Sequence, residues 1–330
     1  MLYLAWTAVL FAMAAFLAIS FKQRMETCLA PAFFMAILLL YLFGAVGLLK
    51  PALYAVALLG AASAGGVLLA CVQGKTLYRQ YWLTPGMMAA VLAVFYIAWM
   101  QSGRVVMGND EFSHWAYTVK MMVYHDSFSV AHAEEMIFPT YPPALSLLEY
   151  LFVRFTPEFT ESYLYRGLNL LQVSLLVPFL SRFGWKKWTG ALLGFAALFL
   201  LPLAFYGEFY TDLCVDGTLA LLTAYYLYAW FGRRKRDAFA FLSISLAGAV
   251  LVLTKESGLI FALWGLGIIL WDSFNRGQLL LKKLPLKQKL MPQRGWGIVL
   301  GSVLAAKLSW SAVLAANGQG GDSGHLVQNL

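Results

Sequence analysis

Residues 28–48 read CLAPAFFMAILLLYLFGAVGL and contain no charged side chain. A helix that crosses a bilayer needs about 20 predominantly apolar residues, because the hydrocarbon core is about 30 Å thick. Residues 28–48 meet this length, and similar apolar runs recur along the chain. The sequence therefore predicts an all-α membrane protein with about ten transmembrane helices. Their approximate positions are 3–20, 28–48, 51–72, 85–101, 162–181, 189–205, 213–231, 237–254, 257–271 and 296–315.

The composition agrees with lipid as the main solvent of the chain. Of 330 residues, 61% are hydrophobic and 12% are charged, whereas soluble domains average about 45–50% and about 25%. The net charge is +8, but the basic residues form short clusters between apolar runs, so they indicate membrane orientation and no nucleic-acid binding. Cys28, Cys71 and Cys214 are scattered through apolar segments, which argues against a disulfide framework or a cysteine metal site.

The basic residues alternate between connections. Cytoplasmic connections of membrane proteins are enriched in Lys and Arg, and here every second connection is basic. We therefore expect these connections in the cytoplasm, with the other connections and both termini outside. The basic residues are Lys22 and Arg24; Lys75 and Arg79; Arg182, Lys186 and Lys187; Arg233, Arg234, Lys235 and Arg236; and Lys282, Lys283, Lys287, Lys289 and Arg294.

Acidic residues gather in the connections that this topology places outside. The long polar stretch 102–161 is predicted to be an outer loop that carries surface helices. Three separate outer connections supply ionisable groups near one membrane surface, a pattern that indicates an outward-facing active site. These groups are Asp110, Glu111, Glu134 and Glu135 in the loop, Glu208, Asp212 and Asp216 at the next outer turn, and Lys255 and Glu256 at the one after.

The strongest local motif is residues 108–116, which read GNDEFSHWA. On an α-helix, Asp110 and His114 share a face, and Glu111 and His114 are three residues apart. Adjacent carboxylates beside a histidine can deprotonate an acceptor hydroxyl or hold a divalent cation. We therefore predict Asp110, Glu111 and His114 as catalytic residues. The alternative is a solvated helix start with Asp110 near the N-cap.

A second motif, residues 138–143, reads FPTYPP and precedes a short apolar helix over 144–155. Prolines favour the first turn of a helix, and this helix is too short to span a bilayer, so we expect it at the membrane surface. Tyr141 is a candidate substrate-binding residue, and a plain turn into the helix is the alternative. His125 and His132 make no recognisable metal spacing with Glu134 and Glu135, and His325 lies in a Gly-rich tail.

A third motif places Glu208, Asp212 and Asp216 at intervals of four, one stripe of a helix. Carboxylates at the end of a membrane span are costly and usually functional or paired, and pairing with Lys255 or Lys307 is the structural alternative. Cations at this depth could bind a phosphate whose lipid tail stays in the bilayer. The candidate cations are Arg166, Lys255 and Lys307, with Lys255 favoured, and Glu256 lies beside it.

These motifs, in their order and topology, resemble GT-C-type membrane glycosyltransferases, in particular the protein O-mannosyltransferase and aminoarabinose-transferase group. Asp110-Glu111 is similar to the Asp-Glu opening of that family's first outer loop, and Tyr141-Pro142-Pro143 to its later proline pair. Aminoarabinose transferases have Glu-Lys before this pair, where this chain has Thr140-Tyr141, so another cation must meet the phosphate. The resemblance covers residues 85–315; residues 1–84 are additional N-terminal helices, and 316–330 form an outer tail.

The resemblance implies an inverting transfer of a sugar from a polyprenyl-phosphate donor to a hydroxyl on a glycan, lipid or protein acceptor. The site would face outward from the plasma (inner) membrane. The candidate cofactor is a divalent cation, and no metal ligands are assigned. A transporter or flippase of lipid-linked sugars is one alternative, although the acids lie on one side only. A polysaccharide polymerase or ligase is another, but it would favour an arginine-rich outer loop.

Overall fold

A computed structural model describes residues 1–73, 79–233, 237–275 and 286–319. The structure is 79% helix, and no strand occurs in these ranges. The predicted all-α class is therefore confirmed. Several of the predicted cytoplasmic basic residues, and the tail from residue 320 that includes His325, lie outside the described residues. These basic residues are Lys75, Arg234, Lys235, Arg236, Lys282 and Lys283.

The chain folds into α-helices joined by short connections and by one longer segment between α5 and α8. A π-helix at Glu111–Trp115 and 3₁₀-helices at Ser129–Glu135, Val177–Arg182 and Trp185–Lys187 complete the helical structure. The α-helices are α1 (Leu2–Phe21), α2 (Met25–Gly44), α3 (Leu49–Val72), α4 (Arg79–Trp82), α5 (Pro85–Met100), α6 (Ala116–His125), α7 (Ala144–Val153), α8 (Ser162–Leu176), α9 (Trp188–Phe205), α10 (Val215–Phe231), α11 (Ala238–Val252), α12 (Gly258–Asn275) and α13 (Leu286–Ala316).

Six helical segments in the described ranges are long and apolar enough to cross a membrane, which indicates a multi-pass membrane protein. The other predicted spans correspond to α5, α8, α10 and α11, which are 15 to 17 residues long. Because a span needs about 20 residues, helix length alone does not establish these four, and the count of about ten stays a prediction. The six segments are Leu2–Phe21, Met25–Gly44, Leu49–Val72, Trp185–Phe205, Gly258–Asn275 and Gly295–Ala316.

Close helix packing uses glycine at two crossings. A Cβ on Gly60 would lie 2.5 Å from Val9 Cγ1, so a larger side chain there would push α3 away from α1. A Cβ on Gly248 would lie 2.9 Å from Val303 Cγ2, which is the contact between α11 and α13. Small residues at helix crossings are typical of membrane proteins, because van der Waals packing drives helix association in lipid.

One group of connections lies where α5 begins. Arg24 Nη1 donates hydrogen bonds to the carbonyl oxygens of Ser181 and Phe183, both 2.6 Å away. Thr84, the N-cap of α5, donates to Glu26 Oε2 at 2.7 Å. The turn after α1, the start of α5 and the turn after α8 therefore meet at one end of the helices.

A second group of connections lies where α5 ends. Gln101 Nε2 donates to Asn169 Oδ1 at 2.8 Å and to the carbonyl oxygen of Tyr210 at 2.7 Å. The backbone N–H of Ala144 donates to the carbonyl oxygen of Leu253 at 2.7 Å. These contacts join the segment after α5 to the turn after α9, and the start of α7 to the end of α11. All four elements were predicted to lie on the acidic, outer side.

The packing of α7 is closer than the sequence predicted, and its position relative to the membrane stays a prediction. Every residue of Ala144–Val153 is buried, whereas the sequence predicted a helix lying at the membrane surface. The reason is its packing, because α7 contacts α1, α2, α6 and α8.

Candidate active site

The strongest sequence motif adopts an unusual helix. Residues 109–110 begin a helical turn that continues as the π-helix Glu111–Trp115. π-helical turns are rare and frequently occur at functional sites. Asp110 precedes this π-helix and is exposed, whereas His114 within it is only 4% exposed, so the two side chains that were predicted to share a face have different environments.

Glu111 is a buried carboxylate, 3% exposed, with both oxygens occupied. Its Oε2 accepts hydrogen bonds from the backbone N–H groups of Met107, at 3.2 Å, and Gly108, at 2.9 Å. Its Oε1 accepts from the Tyr165 hydroxyl, at 2.8 Å, and from the backbone N–H of Leu213, at 2.9 Å. This arrangement suits a residue that positions the surrounding backbone.

A second buried acid lies behind Glu111. Glu149 of α7 is 2% exposed, and burial raises its pKa well above the ordinary value for glutamate, with a further contribution from the negative charge of Glu111. Sequence reasoning placed this residue on a surface helix and gave it no role.

The segment after α5 and the turn after α9 enclose a cleft of about 590 Å³. Two connections that are far apart in sequence thus form one site, as expected if both lie on the same face of the membrane. The cleft contains the predicted residues Asp110, Glu111, Glu208 and Asp212. Its full lining is Arg104, Met107, Gly108, Asn109, Asp110, Glu111, Tyr206, Glu208, Thr211, Asp212 and Cys214.

The carboxylates of the cleft have two kinds of environment. Asp110 and Glu208 are exposed, and neither side chain makes a hydrogen bond within the described part of the chain. Asp212 is 9% exposed and accepts hydrogen bonds from the Tyr206 hydroxyl and from the backbone N–H of Cys214, the latter at 2.8 Å. Asp110 and Glu208 are thus open to a ligand, whereas Asp212 is held in place.

The predicted stripe of Glu208, Asp212 and Asp216 does not form on one helix. Residues 207–211 form turns, residues 212–214 are irregular, and α10 begins only at Val215. Asp216 instead accepts a hydrogen bond from Lys255 Nζ at 2.7 Å. The pairing that the sequence offered as the structural alternative is therefore present for Asp216.

The cation in the cleft is Arg104, which sequence reasoning missed. Arg104 Nη2 donates to the carbonyl oxygen of Thr211 at 2.6 Å, and the guanidinium carbon lies 5.3 Å from the centre of the Tyr165 ring. Its buried Nε has no acceptor among the described residues. One signal could have identified it: Arg104 lies three residues after the predicted span 85–101, on the side where the predicted topology leaves basic residues scarce.

The cations proposed from the sequence do not line this cleft. Lys255 is paired with Asp216, and the exposed Glu256 follows it. Arg166 Nη2 donates to the carbonyl oxygen of Ala98 at 3.1 Å. Lys307 is half-buried in α13. Their predicted roles in phosphate binding stay predictions. Arg104 is a further candidate for the same role, because it lines the cleft.

His114 and Tyr141 belong to an aromatic cluster outside the cleft lining. The Tyr141 ring centre lies 4.8 Å from that of His114, 5.5 Å from that of Trp115 and 5.6 Å from that of Phe138. Burial lowers the pKa of His114 to about 4, so the imidazole is neutral at pH 7. The cluster joins the π-helix to the proline motif, which agrees with a supporting role for both residues.

The motifs behind the predicted resemblance thus occupy defined positions. Asp110 and Glu111 both line the cleft, Asp110 as an exposed side chain and Glu111 as a buried one. Tyr141 packs against the π-helix that follows these acids. The resemblance to GT-C-type glycosyltransferases rests on these short motifs alone and stays a prediction. Comparisons of the chain with protein-family models, with curated proteins and with solved structures find no significant match.

Proposed function

We propose that this protein is a membrane glycosyltransferase that moves a sugar from a polyprenyl-phosphate donor to a hydroxyl acceptor, with inversion. One observation carries the proposal: two open carboxylates, Asp110 and Glu208, and the guanidinium of Arg104 line the same cleft. The cleft lies where α5 and α9 end and α10 begins. The lipid tail of such a donor needs apolar helices around it, and its phosphate and sugar need a polar cleft at the end of those helices.

The proposed topology has about ten membrane-crossing helices, with residues 85–315 forming the GT-C-like core. The two groups of connections support it, because the predicted basic connections around Arg24 and the acidic ones around Asp110 lie at different ends of α5. By the positive-inside rule of membrane insertion, basic connections lie in the cytoplasm. The cleft would then open on the extracytoplasmic side of the plasma membrane.

In the proposed reaction, Asp110 accepts the proton of the acceptor hydroxyl. The hydroxyl oxygen attacks the anomeric carbon from the face opposite the phosphate, a C–O bond forms, and the bond between that carbon and the phosphate oxygen breaks. The polyprenyl phosphate leaves with the bonding electrons. A positioned base contributes about 10²–10⁴-fold to the rate.

Arg104 is the proposed partner of the leaving phosphate. Its planar fork of N–H groups matches two phosphate oxygens, and stabilisation of developing charge is commonly the largest catalytic contribution. The hydrogen bond to Thr211 and the contact with the Tyr165 ring hold the guanidinium before the donor binds. A guanidinium that is already held in place does not have to reorient while the phosphate leaves.

The remaining acids support this arrangement. Glu111 ties the backbone before Asp110 to the turn before α10. Asp212 holds the adjoining turn through Tyr206 and Cys214. If the reaction uses a divalent cation, Asp110 and Glu208 are the residues that would hold it, because their oxygens are the hard ligands that Mg²⁺ prefers.

The direct test uses purified protein in liposomes with a radiolabelled polyprenyl-phosphate sugar and a panel of hydroxyl acceptors. We expect label to move from the lipid to an acceptor, with inverted anomeric configuration. Asp110→Asn protein is the matched control. Movement of intact labelled lipid between leaflets without transfer would instead identify a flippase and would reject the proposed chemistry.

A further inference from the structure

A second group of side chains, separate from the cleft lining, meets in the segment between α5 and α8. His125, His132 and Glu135 each place one potential ligand atom within 4.8 Å of the others. None of the three lines the cleft that contains Asp110. Their spacing in sequence matches no common metal motif, so only the folded chain brings them together.

Local structure explains how the three residues meet. His125 is the last residue of α6, and Asp126 follows in the left-handed conformation, with φ of 51°, so the chain turns sharply. Arg154 Nη2 donates to Asp126 Oδ2 at 2.8 Å and anchors this turn. The 3₁₀ segment Ser129–Glu135, which is kinked at His132, then packs against α6 and carries the other two side chains.

The two histidine rings are in contact, with centres 3.5 Å apart and planes at 17°. Because the lone pair of an imidazole nitrogen lies in the ring plane, binding of one ion by both residues requires one ring to rotate. Metal ligation requires neutral imidazole. The Ser127 hydroxyl lies 3.1 Å from His132 Nε2, and a hydrogen bond to one ring nitrogen orients a histidine for ligation through the other.

A buried atom is left without a partner at this position. His125 Nε2 has no hydrogen bond and lies 4.0 Å from Glu135 Oε1. An unsatisfied buried polar atom costs stability. Ligands around tetrahedral zinc, with bonds of 2.0–2.2 Å, are about 3.4 Å apart. A movement of roughly half an ångström would therefore let one ion join these two atoms.

We propose that His125, His132 and Glu135 form a binding site for a transition-metal ion of the Zn²⁺ class. Imidazole nitrogens with one carboxylate suit Zn²⁺, Co²⁺ or Ni²⁺, whereas Ca²⁺ and Mg²⁺ prefer oxygen ligands. The ion would join the end of α6 to the segment that leads to Tyr141. It would stabilise this segment independently of the proposed sugar transfer.

The test measures metal binding by full-length protein that is purified in detergent with a histidine-free affinity tag. We expect one Zn²⁺ per chain by elemental analysis after removal of free metal, a raised thermal midpoint with Zn²⁺, and visible absorption of a tetrahedral site with Co²⁺. Mg²⁺ should neither compete nor stabilise. Absence of retained Zn²⁺ would overturn the proposal.

Matched variants locate the ion. His132→Ala and Glu135→Gln should each lower Zn²⁺ affinity by at least about 100-fold, since even outer-shell changes cost 10–100-fold. Glu134→Gln, a neighbouring exposed acid outside the cluster, and His325→Ala should retain wild-type affinity. Equal affinity in Glu134→Gln and Glu135→Gln protein would reject the site. Near-ultraviolet circular dichroism of each metal-free variant verifies that it is folded.

Discussion

Glu111 Oε1 accepts a hydrogen bond from the backbone N–H of Leu213, 2.9 Å away, across 102 positions of sequence. This bond joins the segment after α5 to the turn before α10, and those two connections form the cleft around Asp110 and Glu208. Because four donors converge on this one buried carboxylate, it determines how the two halves of the site are placed.

The first prediction concerns that carboxylate. Glu111→Gln replaces one acceptor oxygen with an NH₂ group, which would face a donor N–H or O–H group. Loss of a hydrogen bond to a charged group costs about 1.5–3 kcal/mol, so the thermal midpoint in detergent should fall clearly. Glu134→Gln is the matched control and should leave it unchanged. An unaltered midpoint in Glu111→Gln protein would show that the four bonds are unimportant for stability.

The second prediction concerns the proposed base. Asp110→Asn should reduce turnover by about 10²-fold or more, while the exposed position of Asp110 should leave the thermal midpoint unchanged. Initial rates of sugar transfer at saturating donor measure the effect. Glu208→Gln distinguishes the two open carboxylates, because a larger loss in that variant would assign the base to Glu208. Normal turnover of folded Asp110→Asn protein would eliminate Asp110 from the mechanism.

The third prediction separates two candidate phosphate sites. Arg104→Met should weaken donor binding by about 1.5–3 kcal/mol, the range for hydrogen bonds to charged groups. Lys255→Met should have a smaller effect, because Lys255 is already paired with Asp216 at 2.7 Å. Binding of a polyprenyl phosphate to protein in nanodiscs measures both. The opposite ranking would place the phosphate at Lys255, as the sequence alone favoured.

The fourth prediction is a pH dependence. Burial lowers the pKa of His114 from 6.5 to about 4, so between these values the unfolded chain binds a proton that the folded protein excludes. Stability should therefore fall as pH falls from 6.5 towards 4, by on the order of 2 kcal/mol between pH 7 and pH 5. Thermal midpoints across this range measure the effect. His114→Phe protein should show a shallower slope, and an identical slope would contradict the assignment.

The fifth prediction tests topology. Lys120 and Lys186 are both exposed, on α6 and in the turn before α9. In a variant without Cys28, Cys71 and Cys214, a membrane-impermeant maleimide should label Lys120→Cys in intact cells. Lys186→Cys should react only after the membrane is opened. The reverse pattern would place the acidic cleft in the cytoplasm and contradict an extracytoplasmic site.

The sequence predicted the elements of the site better than their contacts. Asp110, Glu111, Glu208 and Asp212 were all selected as acids on outer connections, and all four line the cleft. These acids stood out in the sequence because charged groups are rare among apolar runs, and their roles stay predictions. Their separate roles could not be predicted, since one buried and one exposed carboxylate have the same sequence signal.

The amino-acid sequence by itself determined that the chain is helical and that it is a multi-pass membrane protein, because long apolar runs admit few other structures in lipid. Only the tertiary structure decided that Arg104 meets the acids, that Lys255 pairs with Asp216, and that α7 is buried. These outcomes depend on which connections pack together. Local periodicity describes the faces of a single helix, whereas contacts across a hundred residues depend on how all the helices fit against one another.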